Sequence, residues 1–169
     1  GYTSQVNIVR TLAARLKGLD LSLSVIVGGH HASVRPEDFN DPAIAVVVIG
    51  EGVFTLREIL RGSREVDALL AVRGLALPGA EGLRFSEPRP YTDLDALPFP
   101  DRSLTSRHRN RYFSAWFKPL ASVRTSLGGT ALCHFCALWS LTRGRYLRRE
   151  PEAVGGELPQ GAGGHVFSR

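Results

Sequence analysis

Two stretches decide the fold: LSLSVIVGGHH at Leu21–His31 and AIAVVVIGEG at Ala43–Gly52. Each is an apolar run rich in β-branched residues, and each ends in glycine. AIAVVVIG is continuous rather than alternating, which is the pattern of a strand covered on both faces. LSLSVIVGG reads as a buried strand that ends in two glycines. Between and around them the period changes. QVNIVRTLAARLK (Gln5–Lys17) places Val6, Val9, Leu12, Ala13 and Leu16 at helical spacing, and Gly18 is expected to cap that helix. Pro36 to Asn40 is expected to open a short helix, and FTLREILR (Phe54–Arg61) returns to helical spacing. Helix, strand, short helix, strand, helix describes part of a parallel α/β sheet with right-handed crossovers.

Further along, GLALPGAEGLRF (Gly74–Phe85) predicts two short strands around a PGAEG turn. Pro88, Pro90, Pro98 and Pro100 then punctuate a linker or surface crossover. LASVRTSL (Leu120–Leu127) predicts a strand that runs into SLGGTALCHFCALW, and Pro151 can open a helix. Gly155, Gly156 and Pro159 should end that helix after about one turn, because interior Gly costs ~1 kcal/mol and Pro ~3 kcal/mol. HVFS near the C-terminus has the character of a strand.

Bulk properties narrow the classes. The chain has 169 residues, is 43% hydrophobic and 22% charged, and is therefore globular in composition. It contains no run of 18 apolar residues, and its start has no apolar signal-peptide region. It also lacks methionine altogether, so a fragment is expected. The net charge of +5 is uneven: Asp101 to Glu150 holds ten Lys/Arg against two acids. That density suits either a solvated basic face or a surface for phosphate, a nucleotide-bearing cofactor or an anionic membrane.

Three constellations carry chemistry. Gly28-Gly29-His30-His31 stands at the carboxyl end of a predicted strand, where open α/β sheets bind ligands. The plain alternative is a tight turn with two surface histidines. Gly50-Glu51-Gly52 ends the next strand on the same rim, and Glu51 can also simply cap the following helix. Cys133 and Cys136 are the only cysteines and form a CxxC pair. Two thiolates are half of a tetrahedral zinc site and two-thirds of a three-thiolate iron–sulfur site. His134 between them is expected to point away from any metal there, and Phe135 reads most simply as core packing.

In this order VIVGGHHASVRPEDF, VVVIGEGVFTLREIL, the LALPG hairpin, DLDALPFPDR and SVRTSLG…CHFCALW resemble the cobalamin-binding radical S-adenosylmethionine enzymes, from Gly1 to about Val154. CHFCALWSLTRGRYLRREPEAV is most similar to the hopanoid C-3 methylases among them. The resemblance implies an α/β chain: the C-terminal part of a Rossmann-like cobalamin-binding domain, then a linker, then the first βα portion of a partial TIM barrel. The corresponding boundaries are 1–72, 73–118 and 119–169. It implies cobalamin contacts from Ser4, Gly28, Gly29, His30, Gly50, Glu51 and Gly52, and an adenine neighbour in Phe135. It implies a 4Fe–4S cluster on a CxxxCxxC loop, with Cys133 and Cys136 as the second and third ligands. S-Adenosylmethionine would chelate the open iron and be cleaved to a 5′-deoxyadenosyl radical, with a methyl group supplied from cobalamin.

The chain departs from that pattern where the first cluster cysteine should stand, because it has Gly129. Glycine has no ligand atom, so the chain as written is expected to be inactive. A lipid substrate, a cytoplasmic location and a peripheral membrane contact fit the hopanoid resemblance, and no nucleic acid is expected. The rival reading is a small zinc module holding its metal with Cys133, Cys136 and His108 or His165, its arginine-rich flank touching nucleic acid or another anion. Neither histidine has zinc-finger spacing.

Overall fold

A computed structural model describes residues 2–91, 93–116, 118, 120–131 and 133–157, and the backbone of residues 165–168. The chain divides into two compact units, one made of Gly1–Tyr91 with His134–Arg143, the other of Thr92–Cys133 with Gly144–Arg169.

The first unit is an α/β layer structure. A 3-10 turn at Thr3–Gln5 leads into α1 (Val6–Leu19). Strand β1 (Ile26–Val27) is followed by α2 (His30–Val34), a 3-10 turn at Pro36–Phe39 and β2 (Val46–Val48). Helices α3 (Gly52–Arg61) and α4 (Val66–Ala71) precede β3 (Leu75–Leu77) and β4 (Arg84–Phe85). The sheet order is β1-β2-β3-β4. β1 and β2 are parallel, with Ile26 opposite Val46 and Val27 opposite Val47.

The expected two-sided burial of AIAVVVIG is found. Val47 packs on one face with Ala13, Val27, Ala32, Phe39 and Ile44. Val46 and Val48 pack on the other with Ile59, Leu69, Leu75 and Leu77. Side chains alternate across a strand, so one VVV run serves two cores. Each such side chain contributes about 1.5–3 kcal/mol by burial.

Several sequence expectations need correction. The parallel pairing expected of the first 62 residues holds for β1 and β2, but the whole sheet is mixed, because β3 runs antiparallel to β2 and pairs with β4 through the PGAEG turn. Hydrophobic periodicity reports burial and carries no information on strand direction. Gly18 does not cap α1: the helix continues to Leu19, and Asp20 follows with its amide on the Leu16 carbonyl. The Asp20 carboxylate accepts from the Ser22 amide and so fixes the turn that a glycine was expected to make. Leu12 is exposed, as is Ile8 beside it, because α1 buries only the stripe through Ala13. Strand β1 is shorter than LSLSVIVGG, since Leu21 and Leu23 are exposed and only Ile26 and Val27 find a strand partner.

The first unit also contains α5 (Ala137–Thr142), whose Leu141 carbonyl accepts a hydrogen bond from the Tyr91 hydroxyl. The second unit begins with 3-10 turns at Leu94–Ala96 and Arg102–Arg111. Leu120–Leu127 is not one strand. It forms β5 (Leu120–Val123) and β6 (Ser126–Gly128) because the chain changes partners between them. β6 pairs antiparallel with β7 (Tyr146–Arg148), while β5 pairs in parallel with β8 (His165–Ser168), the strand expected from HVFS.

Helix α6 (Pro151–Glu157) outlasts its expected single turn despite Gly155 and Gly156. Its last residue explains this. The buried Glu157 carboxylate takes Arg102 at 2.8 Å and also pairs with Arg149. Arg149 is itself buried, lies 3.5 Å from Asp95 and stacks its guanidinium over the Phe99 ring at 5.4 Å. Tertiary contacts at the helix end override weak local propensity.

Candidate functional site at the carboxyl rim of the sheet

The carboxyl ends of β1 and β2 lie side by side, because the two strands are parallel neighbours. Their turns are built from glycines for identifiable reasons. Gly29 has φ of 103° and Gly50 has φ of 76°, both in the left-handed region that side chains disfavour. A Cβ at Gly28 would stand 3.4 Å from the Val48 Cβ, so the two strands approach closely there. At Gly50 nothing lies within 4 Å of a Cβ position, leaving the backbone open to a ligand.

Ser33 ties the two turns together. Its hydroxyl donates to the Gly29 carbonyl at 3.0 Å and accepts from the Gly50 amide at 2.9 Å. Glu51 is the N-cap of α3, accepting from the Val53 amide at 3.1 Å, as the plain reading of its position anticipated.

The two histidines differ. His30 is exposed and stacks obliquely on Tyr2, ring centroids 5.7 Å apart. His31 is not a surface histidine: it is 8% exposed. Its Nδ1 lies 2.9 Å from the Thr3 hydroxyl and its Nε2 lies 2.7 Å from the Asp38 carboxylate. Phe39 packs edge-on against its ring. A line of Thr3, His31 and Asp38 therefore fastens the first turn of the chain to α2. Ser4, the neighbour of Thr3, is exposed beside this line.

Behind the rim, Gly74 is forced by its surroundings. It has φ of 81°, and a Cβ there would stand 3.0 Å from the Arg89 Cβ, 3.1 Å from the Ile49 carbonyl and 3.2 Å from the Thr55 hydroxyl. The fully buried Thr55 donates to the Arg73 carbonyl at 2.9 Å and accepts from Arg89 Nε at 2.8 Å, while Arg89 also pairs with Glu58 at 2.5 Å. Tyr91, on the same segment, has its phenol held above its ordinary value by burial and then by the Glu51 carboxylate, with Arg143 opposing. Glu51, Tyr91 and Arg143 thus form a polar group in this unit. Arg143 holds a left-handed φ of 53°.

The cysteine segment is placed differently from its plain reading. Phe135 is 93% exposed, so it is not core packing. Its predecessor His134 begins the short turn that leads to α5. Cys133 is exposed, Cys136 is half-buried, and both thiols are free. At Gly129 a Cβ would meet nothing within 4 Å, and φ there is not left-handed, so a larger residue would fit without strain. Among the described residues no group of three or more His, Cys, Asp or Glu could hold a metal ion, which leaves the zinc reading without a third ligand there. The His165 side chain lies outside the described residues. The two thiols do not meet the three-thiolate requirement of the expected cluster.

Comparison with known proteins fits the rim. Residues 1–60 match the B12 binding domain family. An uncharacterized methyltransferase, PH0819, from Pyrococcus horikoshii is 29% identical over 138 residues, covering 80% of this chain and 29% of its own length. Two structures of the radical S-adenosylmethionine methyltransferase TsrM from Kitasatospora setae share the fold over 91% of this chain. One has tryptophan substrate and a SAM analog (aza-SAM) bound, with a TM-score of 0.64 and 20% identity. The other has cobalamin and a [4Fe-4S] cluster bound, with a TM-score of 0.60 and 18% identity. The chain spans less than a third of each of these proteins: 29%, 30% and 31% of their lengths. The fold is a mixed α/β arrangement, Rossmann-like over the residues that match the B12 binding domain family.

Sequence reading located the glycines and Glu51. It missed Ser33, Asp38 and the bond that Thr3 makes, and it misjudged His31. For Ser33 and Asp38 the only available signal was proximity in sequence to GGHH; for Thr3 there was not even that, since a hydrogen bond between residues 28 positions apart leaves no periodic trace.

Proposed function

We propose that this chain is the cobalamin-binding and linker portion of a cobalamin-dependent radical S-adenosylmethionine methyltransferase. The observation that carries the reading is the coincidence of the B12-binding match with the glycine rim at the ends of β1 and β2. In this reading Gly28, Gly29, Gly50 and Gly52 let the cofactor lie against the sheet edge, with Ser4, His30 and Glu51 beside it. Bound cobalamin supplies a methyl carrier. The chain's own part is to hold the rim open through the left-handed glycines and to keep its two turns in register through Ser33.

Phe135 would neighbour the adenine of S-adenosylmethionine, and Cys133 and Cys136 would be two of the three cluster ligands. Gly129 leaves the third position empty, so this chain should not assemble a stable cluster or turn over. The parent reaction we infer is methylation of an unactivated carbon in a hopanoid or related lipid, by a cytoplasmic enzyme in peripheral contact with a membrane. The segment boundaries we favour are 1–72, 73–118 and 119–169.

Cobalamin titration followed by absorbance tests the rim: binding by the chain and its loss in Gly50→Val support the reading, and no binding by the parent chain overturns it. Iron and sulfide after anaerobic reconstitution test the loop. The cluster should appear in Gly129→Cys and be absent from the parent. A full cluster in the parent chain would refute its predicted inactivity.

A further inference from the structure

We propose that residues 102–116 together with Lys118 form a docking surface for an anionic lipid bilayer, with a headgroup phosphate seated in the cavity beside Arg109 and Arg111. It deepens the peripheral membrane contact inferred above and rests on that part of the reading, while its vesicle test is separate from cobalamin and cluster binding. The 3-10 segment Arg102–Arg111 buries none of its residues. From Arg102 to Lys118 the sequence has five Lys/Arg and no Asp or Glu. A cavity of about 440 Å³ opens here, lined in part by Arg102, Thr105, Ser106, Arg109, Arg111 and Tyr112.

Arg102 is already committed to Glu157 and to the Ser122 carbonyl. Among the described residues Arg109 and Arg111 have no acidic partner, so their guanidinium groups are available to an anion. One acid, Asp101, also lines this cavity; its Oδ1 accepts from the amide and hydroxyl of Ser103 at 3.0 and 2.6 Å, and its single negative charge is outnumbered there by Arg102, Arg109 and Arg111.

Beside the cavity the surface turns apolar. Phe113 lines both this cavity and a second hollow formed with Ser114, Ala115, Trp116 and Lys118. Trp116 is 87% exposed, Leu104 77% and Phe113 66%. Cations flanked by exposed aromatic and aliphatic side chains match a bilayer interface, where phosphates lie outside and Trp or Phe reaches the acyl boundary. Nucleic acid would use the aromatics for stacking but gives Leu104 no role. A second copy of this surface would meet like charge.

The test is co-sedimentation of the whole chain with vesicles of phosphatidylcholine, with and without phosphatidylglycerol, at low salt. The chain should pellet only with phosphatidylglycerol present, and added salt should release it. Each cation near an anionic surface contributes roughly a fivefold gain in partition, so Arg109→Gln with Arg111→Gln should weaken binding by about thirtyfold. A blue shift of tryptophan emission should survive Trp139→Phe and vanish in Trp116→Phe. The proposal is overturned if the parent chain stays in the supernatant, if the double glutamine variant pellets equally, or if a single-stranded oligonucleotide binds where vesicles do not. These surface substitutions leave the buried clusters untouched, and circular dichroism checks that each variant folds.

Discussion

The two units are held together by different physics. The first buries Phe39, Val47, Leu75, Ala76 and their neighbours in two apolar clusters on opposite faces of one strand. The second buries few apolar side chains, chiefly Leu94, Ala121 and Val123, and sets a charged group in its interior. There Glu157 stands between Arg102 and Arg149, and Arg149 also approaches Asp95. Apolar burial is additive and tolerant of shape-conserving change, whereas a buried charge group fails when one member is lost. The first unit should therefore degrade by degrees and the second abruptly.

Four substitutions or conditions sharpen this contrast. The largest effect is expected for Glu157→Ala, which strands two arginines and should cost about 3–5 kcal/mol, the range for breaking a buried pair. Hydrogen exchange should then speed up across β7 and α6 while β2 stays protected. Equal loss in both units would show that they fold as one. Next is Gly74→Ala, where a left-handed φ combines with contacts near 3 Å to backbone and side chains. We expect about 2 kcal/mol, at the upper end of the left-handed penalty, read as a lower denaturant midpoint of the first unit alone.

Thr55→Val keeps the shape but removes the hydroxyl that Arg89 Nε donates to and that satisfies the Arg73 carbonyl. A cost of about 1 kcal/mol follows from the two lost hydrogen bonds, since Arg89 Nε still donates to the Arg73 carbonyl at 3.2 Å, and Thr55→Ser should recover much of it. The smallest effect concerns acid. The Ala43 amide, and then Arg10, holds the Asp41 carboxyl below its ordinary value. A depressed carboxyl contributes stability above its unfolded value, about 4, and loses it as pH falls through the lower folded value. Asp41→Asn should flatten that acid limb of the first unit's melting curve; an unchanged limb would assign the acid sensitivity elsewhere.

Legibility in the sequence follows the same division. The first unit's AIAVVVIG and FTLREILR announced a doubly covered strand and an amphipathic helix, because burial writes a period into the chain. The rim glycines were equally plain, since left-handed turns restrict residue type at the position itself. What escaped notice depends on distant partners. Nothing near Glu157 foretells Arg102, 55 residues away, and so α6 was expected to fray at its glycines. Arg149 looked like one more basic residue in TRGRYLRR, yet it is buried against Phe99. His31 looked like half of an exposed pair, because its partners Thr3 and Asp38 come from opposite sides of it in sequence.

The Thr3–His31–Asp38 line has a consequence for the direction of hydrogen bonding at the rim. A neutral imidazole carries one N–H. In the neutral tautomer whose Nε2 donates to the Asp38 carboxylate, Nδ1 is a lone pair and the Thr3 hydroxyl gives its proton inward; in the imidazolium form Nδ1 donates to Thr3 instead. In that neutral form Thr3 has only acceptor lone pairs left for a further partner. A carboxylate nine positions after Gly29, at the back of a buried ring, is thereby linked to a hydroxyl it does not touch. The protonation of one buried ring thus decides whether the Thr3 hydroxyl offers a proton or a lone pair to anything beside it.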